Sequence, residues 1–162
     1  ITIRPSEDLG SLMKFSPKVS QPNMELGSYD GLRALMKLGG RRYYLTDDDT
    51  GICVDRLFML PDSAILESAR LMKIPEKMDP RRLLMTRVLP VLFEHFDLDR
   101  YAGYHDLIIA MIEDRAERCG IKRLSLYTAK ELMAAALEAQ PSGRVKNINK
   151  AIDLILMSIA GK

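Results

Sequence analysis

The densest group of chemically capable side chains lies in "EHFDLDRYAGYHD". It gathers Glu94, His95, Asp97, Asp99, His105 and Asp106, and it holds both histidines of the chain. Carboxylates and imidazoles so close in sequence could bind a divalent ion or act as an acid and base pair. A metal, however, needs ligands converging from one helix face or one tight loop, as in H-E-x-x-H, and two histidines ten positions apart supply neither. We therefore expect a loop between helices here, with Asp97 or Asp99 capping the next helix, and no metal or other cofactor.

Other candidates fail on spacing. Asp47, Asp48 and Asp49 before Gly51 resemble the opening of a calcium loop, but the twelfth position, which should be a bidentate glutamate, is Phe58. No serine sits in G-x-S-x-G, and neither Cys53 nor Cys119 has a histidine nearby. Gly39 and Gly40 are followed by arginines and tyrosines rather than by G-K-[ST]. An enzyme is not expected.

The remaining signal is "SLYTAKELMAAALEAQPSGRVKNIN", two helical stretches with a breaker between them. In a helix-turn-helix the second helix offers its first turn to base edges while its other face packs on the first helix. Arg144, Lys146, Asn147, Asn149 and Lys150 lie on the polar side or at the N-terminal end of a helix expected over 143–160, and these side chains suit phosphates, guanine and adenine. Arg41 and Arg42, before a candidate hairpin, offer a second contact. The break "EAQPSG" is longer than the usual turn of three or four residues. DNA binding through this helix pair is one expectation. The other is a helical protein-interaction or assembly module, an adaptor or structural subunit, which could self-associate through an apolar N-terminal arm.

The charge distribution permits the first reading without demanding it. The chain of 162 residues has a net charge of +2, yet residues 120–162 carry 7 basic and 3 acidic side chains, while residues 61–119 carry 9 and 11. Such a bias is a possible polyanion footprint, and solvated basic helices show as much. Two cysteines, no apolar run near 18 residues and no basic-then-apolar start read as a cytoplasmic chain without a membrane span. The opening "ITI" without methionine suggests a processed product or an excised domain. Tryptophan is absent and methionine numbers 10, so aliphatic and thioether groups must fill the core.

These side chains need a scaffold, and the periodicity predicts a mainly α fold. The expected architecture is an irregular orthogonal bundle of about six helices with one β-hairpin in the N-terminal half. Residues 1–27, with Pro5, Pro17 and Pro22, read as an extended arm, and residues 28–162 as one helical domain. A short helix over about 28–38 should stop at Gly39 and Gly40. Tyr43, Tyr44 and Leu45, then Ile52, Val54, Leu57 and Phe58, flank "DDDTG" and predict a hairpin near 41–58 with its loop at 46–51.

Helical period then continues to the end. Asp62 should cap a helix to about Lys73, and Asp79 should cap one whose first residue is Pro80. Pro90 should kink that helix near Leu89, after which Val91, Leu92, Phe93 and Phe96 should be the most buried part. Leu107, Ile108, Met111, Ile112 and Cys119 form the stripe of the next helix, with Glu113, Asp114, Arg115, Glu117 and Arg118 on its wet face and Gly120 ending it. Thr128 and Glu131 form a capping box, Pro141 breaks the helix, and Ser142 should cap the last one.

Overall fold

The computed structural model describes residues 5–6, 17–99 and 102–161. It is mainly α, as expected. Helix α1 spans Pro17–Met36, α2 Gly51–Phe58, α3 Asp62–Leu71, α4 Pro80–Leu83, α5 Leu89–His95, α6 Tyr104–Arg118, α7 Ala129–Glu138 and α8 Asn147–Ala160. The strands β1, Tyr44–Asp47, and β2, Leu126–Thr128, form a two-stranded sheet.

The hairpin is not formed. Strand β1 pairs in parallel with β2, with Tyr44 opposite Leu126 and Leu45 opposite Tyr127, and Ile52, Val54, Leu57 and Phe58 belong to α2. The aspartates do bond nearby backbone: Asp47 accepts from the Asp49 N–H and Asp49 from the Gly51 N–H, at 3.0 and 2.9 Å. Such turns open a helix as readily as they close a hairpin. What decides is the packing of α2, with Leu57 buried, against α8 and α6, a tertiary demand that overrides the β preference of Ile52 and Val54.

The arm is helical from Pro17 onward, so α1 replaces the extended segment over 17–27; residues 1–4 and 7–16 lie outside the described residues. Pro17 occupies the first helical position, where its missing N–H is no loss. Pro22, in the second turn, removes one hydrogen bond that twenty residues of helix tolerate. The helix ends before Gly39: Lys37 takes a positive φ of 52°, and the Leu38 N–H reaches back to the Arg33 carbonyl at 3.1 Å. That six-to-one bond closes the helix. Helix α1 is tied to β1 through Asp30, which accepts from the Tyr44 hydroxyl at 2.9 Å and the Ser6 N–H at 2.8 Å.

The cap predictions hold for α4 and α7. Asp79 accepts from the Arg81 and Arg82 N–H groups, and Thr128 and Glu131 bond each other's backbone at 3.1 and 2.8 Å. Between α4 and α5 the chain makes a π-helical turn, Leu84–Val88, in which the Leu89 N–H donates to the Leu84 carbonyl. Pro90 cannot donate one turn back, and the widened turn absorbs its ring; this is the interruption expected near Leu89.

The centre of the molecule is α6, not the segment after Pro90. Val91, Phe93 and Phe96 are half-buried, whereas every residue from Leu107 to Glu113, together with Arg115 and Ala116, is buried. Helix α7 packs on α6 and β2, while α8 packs chiefly on α3 and also on α2 and α6. The stripe Ile152, Ile155, Leu156 and Ile159 is fully buried in that contact.

Candidate phosphate-binding surface

The candidate surface starts where α7 ends. After Ala139 the chain crosses the C-terminal end of α6, and the Ser142 N–H donates to the Arg118 carbonyl at 2.9 Å. Ser142 therefore caps α6 from outside instead of starting the last helix. Gly143 takes φ of 78°, a left-handed conformation that glycine adopts freely, and α8 begins only at Asn147. Arg144 thus lies in the connection, and Lys146 is the N-cap.

The N-terminal turn of α8 has no side-chain cap. The Lys146 side chain thus satisfies none of the first N–H groups, at the end where the helix dipole favours negative charge. Arg144, Lys146, Asn147 and Lys150 are exposed and Asn149 is half-buried. Among the described residues, no acid pairs with Arg144, Lys146 or Lys150.

Beyond this turn α8 sinks into the core. Of residues 151–160 only Met157 is exposed. The helix cannot present a continuous face, and its apolar side lies on α3 rather than on α7. The two helices therefore do not pack against each other as a helix-turn-helix pair would. What α8 offers to a ligand is its first turn and the connection before it.

An ion network fixes that turn. Asp153, in the second turn of α8, accepts from Arg115 at 2.7 Å and from both terminal nitrogens of Arg118 at 3.2 and 2.7 Å. Arg118 also bonds Asp114 at 2.9 Å, and Arg115 donates to the Ala136 carbonyl of α7 at 2.9 Å. Two arginines and two aspartates are thereby neutralised within the fold, joining α6, α7 and α8. The Asp114 and Asp153 carboxylates raise the Arg118 pKa despite its burial, so its charge is permanent. Periodicity alone places Asp114, Arg115 and Arg118 on a wet face. The run "LIIAMI" is the missed signal: six consecutive apolar residues cover every side of a helix and mark a central one.

Arg41 and Arg42 approach α6 by a different route, Arg42 toward its C-terminal end and Arg41 toward its start. The side chain of Glu113, 1% exposed, accepts with one oxygen from the N–H groups of Arg41, Arg42 and Tyr43, at 2.9, 3.0 and 3.0 Å. Burial raises the Glu113 pKa, against the lowering effect of those three N–H groups. Gly40 turns the chain into this cradle with φ of 81°; a Cβ there would stand 2.7 Å from the same carboxylate oxygen. Arg42 then pairs with Glu117, and Arg41 reaches the Phe96 carbonyl at 3.4 Å.

Of the two arginines, Arg42 shares the end of α6 with the connection into α8. Arg42 sits over Glu117 and the connection over Arg118, and consecutive helical residues point roughly 100° apart. Arg42 is answered by an acid, so its capacity for an external anion is smaller than that of Arg144, Lys146 and Lys150.

The histidines do not form a centre. His105 bonds the Thr50 hydroxyl through Nδ1 at 2.7 Å, and its Nε2 lies 3.5 Å from Asp48. His95 stacks edge-on against Phe96. Asp99 and Asp106 accept from the Ala102 and Gly103 N–H groups; the N-cap of α6 is Gly103, so neither Asp97 nor Asp99 caps this helix. Among the described residues no group of three or more histidine, cysteine or acidic side chains could hold a metal ion, and no helix is long and apolar enough to cross a membrane.

Comparison of the chain with protein-family models, with curated proteins and with solved structures finds no match.

Proposed function

We propose that this protein is a non-enzymatic nucleic-acid-binding protein that grips the phosphate backbone, most simply that of DNA, with the open first turn of α8 and the connection leading into it. The observation that carries the reading is the contrast between two sets of cations. Arg42, Arg115 and Arg118 are consumed by Glu117, Asp114 and Asp153, whereas Arg144, Lys146 and Lys150 form no ion pair with an acid among the described residues. Uncapped N–H groups at the start of α8 add a second attraction for phosphate oxygens, and the Asn147 amide can bond the same oxygens.

A turn of this kind contacts the backbone and does not insert a helix into the major groove, so the binding is largely indifferent to sequence. Arg42 lies at the same end of α6 and extends the contact weakly, being paired with Glu117, whereas Arg41 turns toward the start of α6, beside Asp97, Asp99 and Asp106, and stands apart from it. The test is an anisotropy titration of a labelled duplex with the wild-type protein, the Arg144→Glu/Lys146→Glu/Lys150→Glu variant, and a Lys73→Glu/Lys77→Glu control. Loss of affinity of at least tenfold in the triple variant alone supports the assignment. Equal affinities in all three proteins reject it.

A further inference from the structure

The two strands end side by side. Asp47 of β1 stands opposite Thr128 of β2 in the parallel register, and α2 then opens at Gly51 and α7 at Ala129. Parallel strands that feed helices bring the helix starts to one edge and leave a crevice outside the strand ends. Here the crevice is a cavity of about 250 Å³. Cys53 of α2, Ala129 and Met133 of α7 and the buried Ile112 of α6 give it apolar walls. Thr50, the N-cap of α2, also lines it, but its hydroxyl is engaged with the His105 Nδ1 at 2.7 Å and caps none of the first N–H groups of the helix.

Three exposed charged residues, Asp49, Arg56 and Lys130, stand around this cavity. Arg56 donates from one terminal nitrogen to the Ile159 carbonyl at 2.8 Å, which anchors its guanidinium. Neither Arg56 nor Lys130 forms an ion pair among the described residues. Asp49 is the single acid of the lining, and its Oδ1 accepts from the Gly51 N–H at 2.9 Å. Burial raises the pKa of the Cys53 thiol, while Arg56 lowers it and Asp49 raises it, so the thiol stays neutral and adds no charge to the wall.

Two cations against one acid leave an excess of one positive charge beside apolar walls. That balance suits a monoanion with an apolar body. A cationic ligand would meet two like charges, and a dianion would keep one charge unanswered. The volume sets the size of the body: an apolar cavity of about 150 Å³ holds benzene, so this one accommodates a single ring with a short chain.

We infer that this cavity binds a small amphiphilic carboxylate, with the apolar body against Cys53, Ile112 and Met133 and the carboxylate toward Arg56 and Lys130. The cavity shares no residue with the first turn of α8, so this site does not rest on duplex binding.

The probes are 3-phenylpropanoate, its neutral isostere 3-phenylpropanamide, and the dianion phenyl phosphate. They are titrated into the full chain carrying methyl-labelled methionine, with the Met133 resonance assigned from Met133→Leu. The site predicts that the carboxylate moves the Met133 methyl signal and binds at least fivefold more tightly than the amide. Lys130→Gln should weaken the carboxylate at least threefold, and Asp49→Asn, whose amide oxygen still accepts from the Gly51 N–H, should tighten it at least twofold. Both positions are exposed, and circular dichroism of each variant checks that the fold is kept. Equal affinity for carboxylate and amide, an unmoved Met133 signal, or affinity unchanged in both variants overturns the proposal. Tighter binding of phenyl phosphate than of the carboxylate also overturns it, because the site would then select a dianion.

Discussion

Replacing Glu113 tests whether the turn carrying Arg41 and Arg42 is built on a buried carboxylate. In Glu113→Ala the Tyr43 N–H, buried with its residue, loses its partner; stripping one such donor costs about 1–3 kcal/mol. The Arg41 and Arg42 N–H groups lie where water can partly reach them, so each adds about 0.5–1 kcal/mol. With a small cavity, the expected loss is about 3–5 kcal/mol. Glu113→Gln keeps an oxygen acceptor, so it should lose about 1–2 kcal/mol. Urea denaturation followed by far-ultraviolet circular dichroism suits a chain without tryptophan. An Ala variant within 1 kcal/mol of wild type, or a Gln variant as damaged as Ala, would refute the reasoning.

The same residue sets a pH dependence. Its raised pKa means that the native state holds a proton which the unfolded chain has already released. This contribution to stability is complete below the ordinary glutamate value and declines as pH rises from that value through the raised one. The difference in stability between wild type and Glu113→Gln should therefore vary over that window and level off above it.

Two further outcomes follow. Asp153→Ala leaves Arg115, buried, and Arg118 with one acid fewer, so it should cost about 3–5 kcal/mol in urea unfolding. Because Asp153 holds the first turns of α8 against α6, its loss should also weaken duplex binding. The Tyr43 hydroxyl is buried, with the Glu117 charge nearby, and its pKa is pushed up to about 12 while its O–H donates to the Ile121 carbonyl. The native state keeps that proton after the unfolded chain loses it, so stability should fall between about pH 10 and 12, and one of the six tyrosines should titrate last by absorbance.

Much of the architecture is legible in local chemistry. Asp79 with Pro80, Thr128 with Glu131, and Gly120 at φ of 69° fix helix ends through groups within four residues of one another. Failures occur where the deciding partner is remote. Tyr44–Asp47 reads as half a hairpin because its true partner, Leu126–Thr128, is distant in sequence. Glu113 reads as solvated because the three N–H groups that bury it come from residues 41–43. Arg144, Lys146, Asn147 and Lys150 are exposed, as their polar character implies, but the start of α8 and its packing partner differ from what periodicity predicts. Periodicity identifies an apolar stripe and cannot say that α3, rather than α7, covers it.

The most direct test of the phosphate-binding account is the salt dependence of duplex affinity. Each phosphate neutralised by a cation contributes about 0.9 to the slope of log affinity against log salt. Wild-type protein should lose affinity steeply between about 50 and 200 mM salt, and the combined Arg144→Gln, Lys146→Gln and Lys150→Gln variant should show a slope shallower by about two to three. A slope identical in the two proteins would mean that these side chains touch no phosphate and would contradict the account.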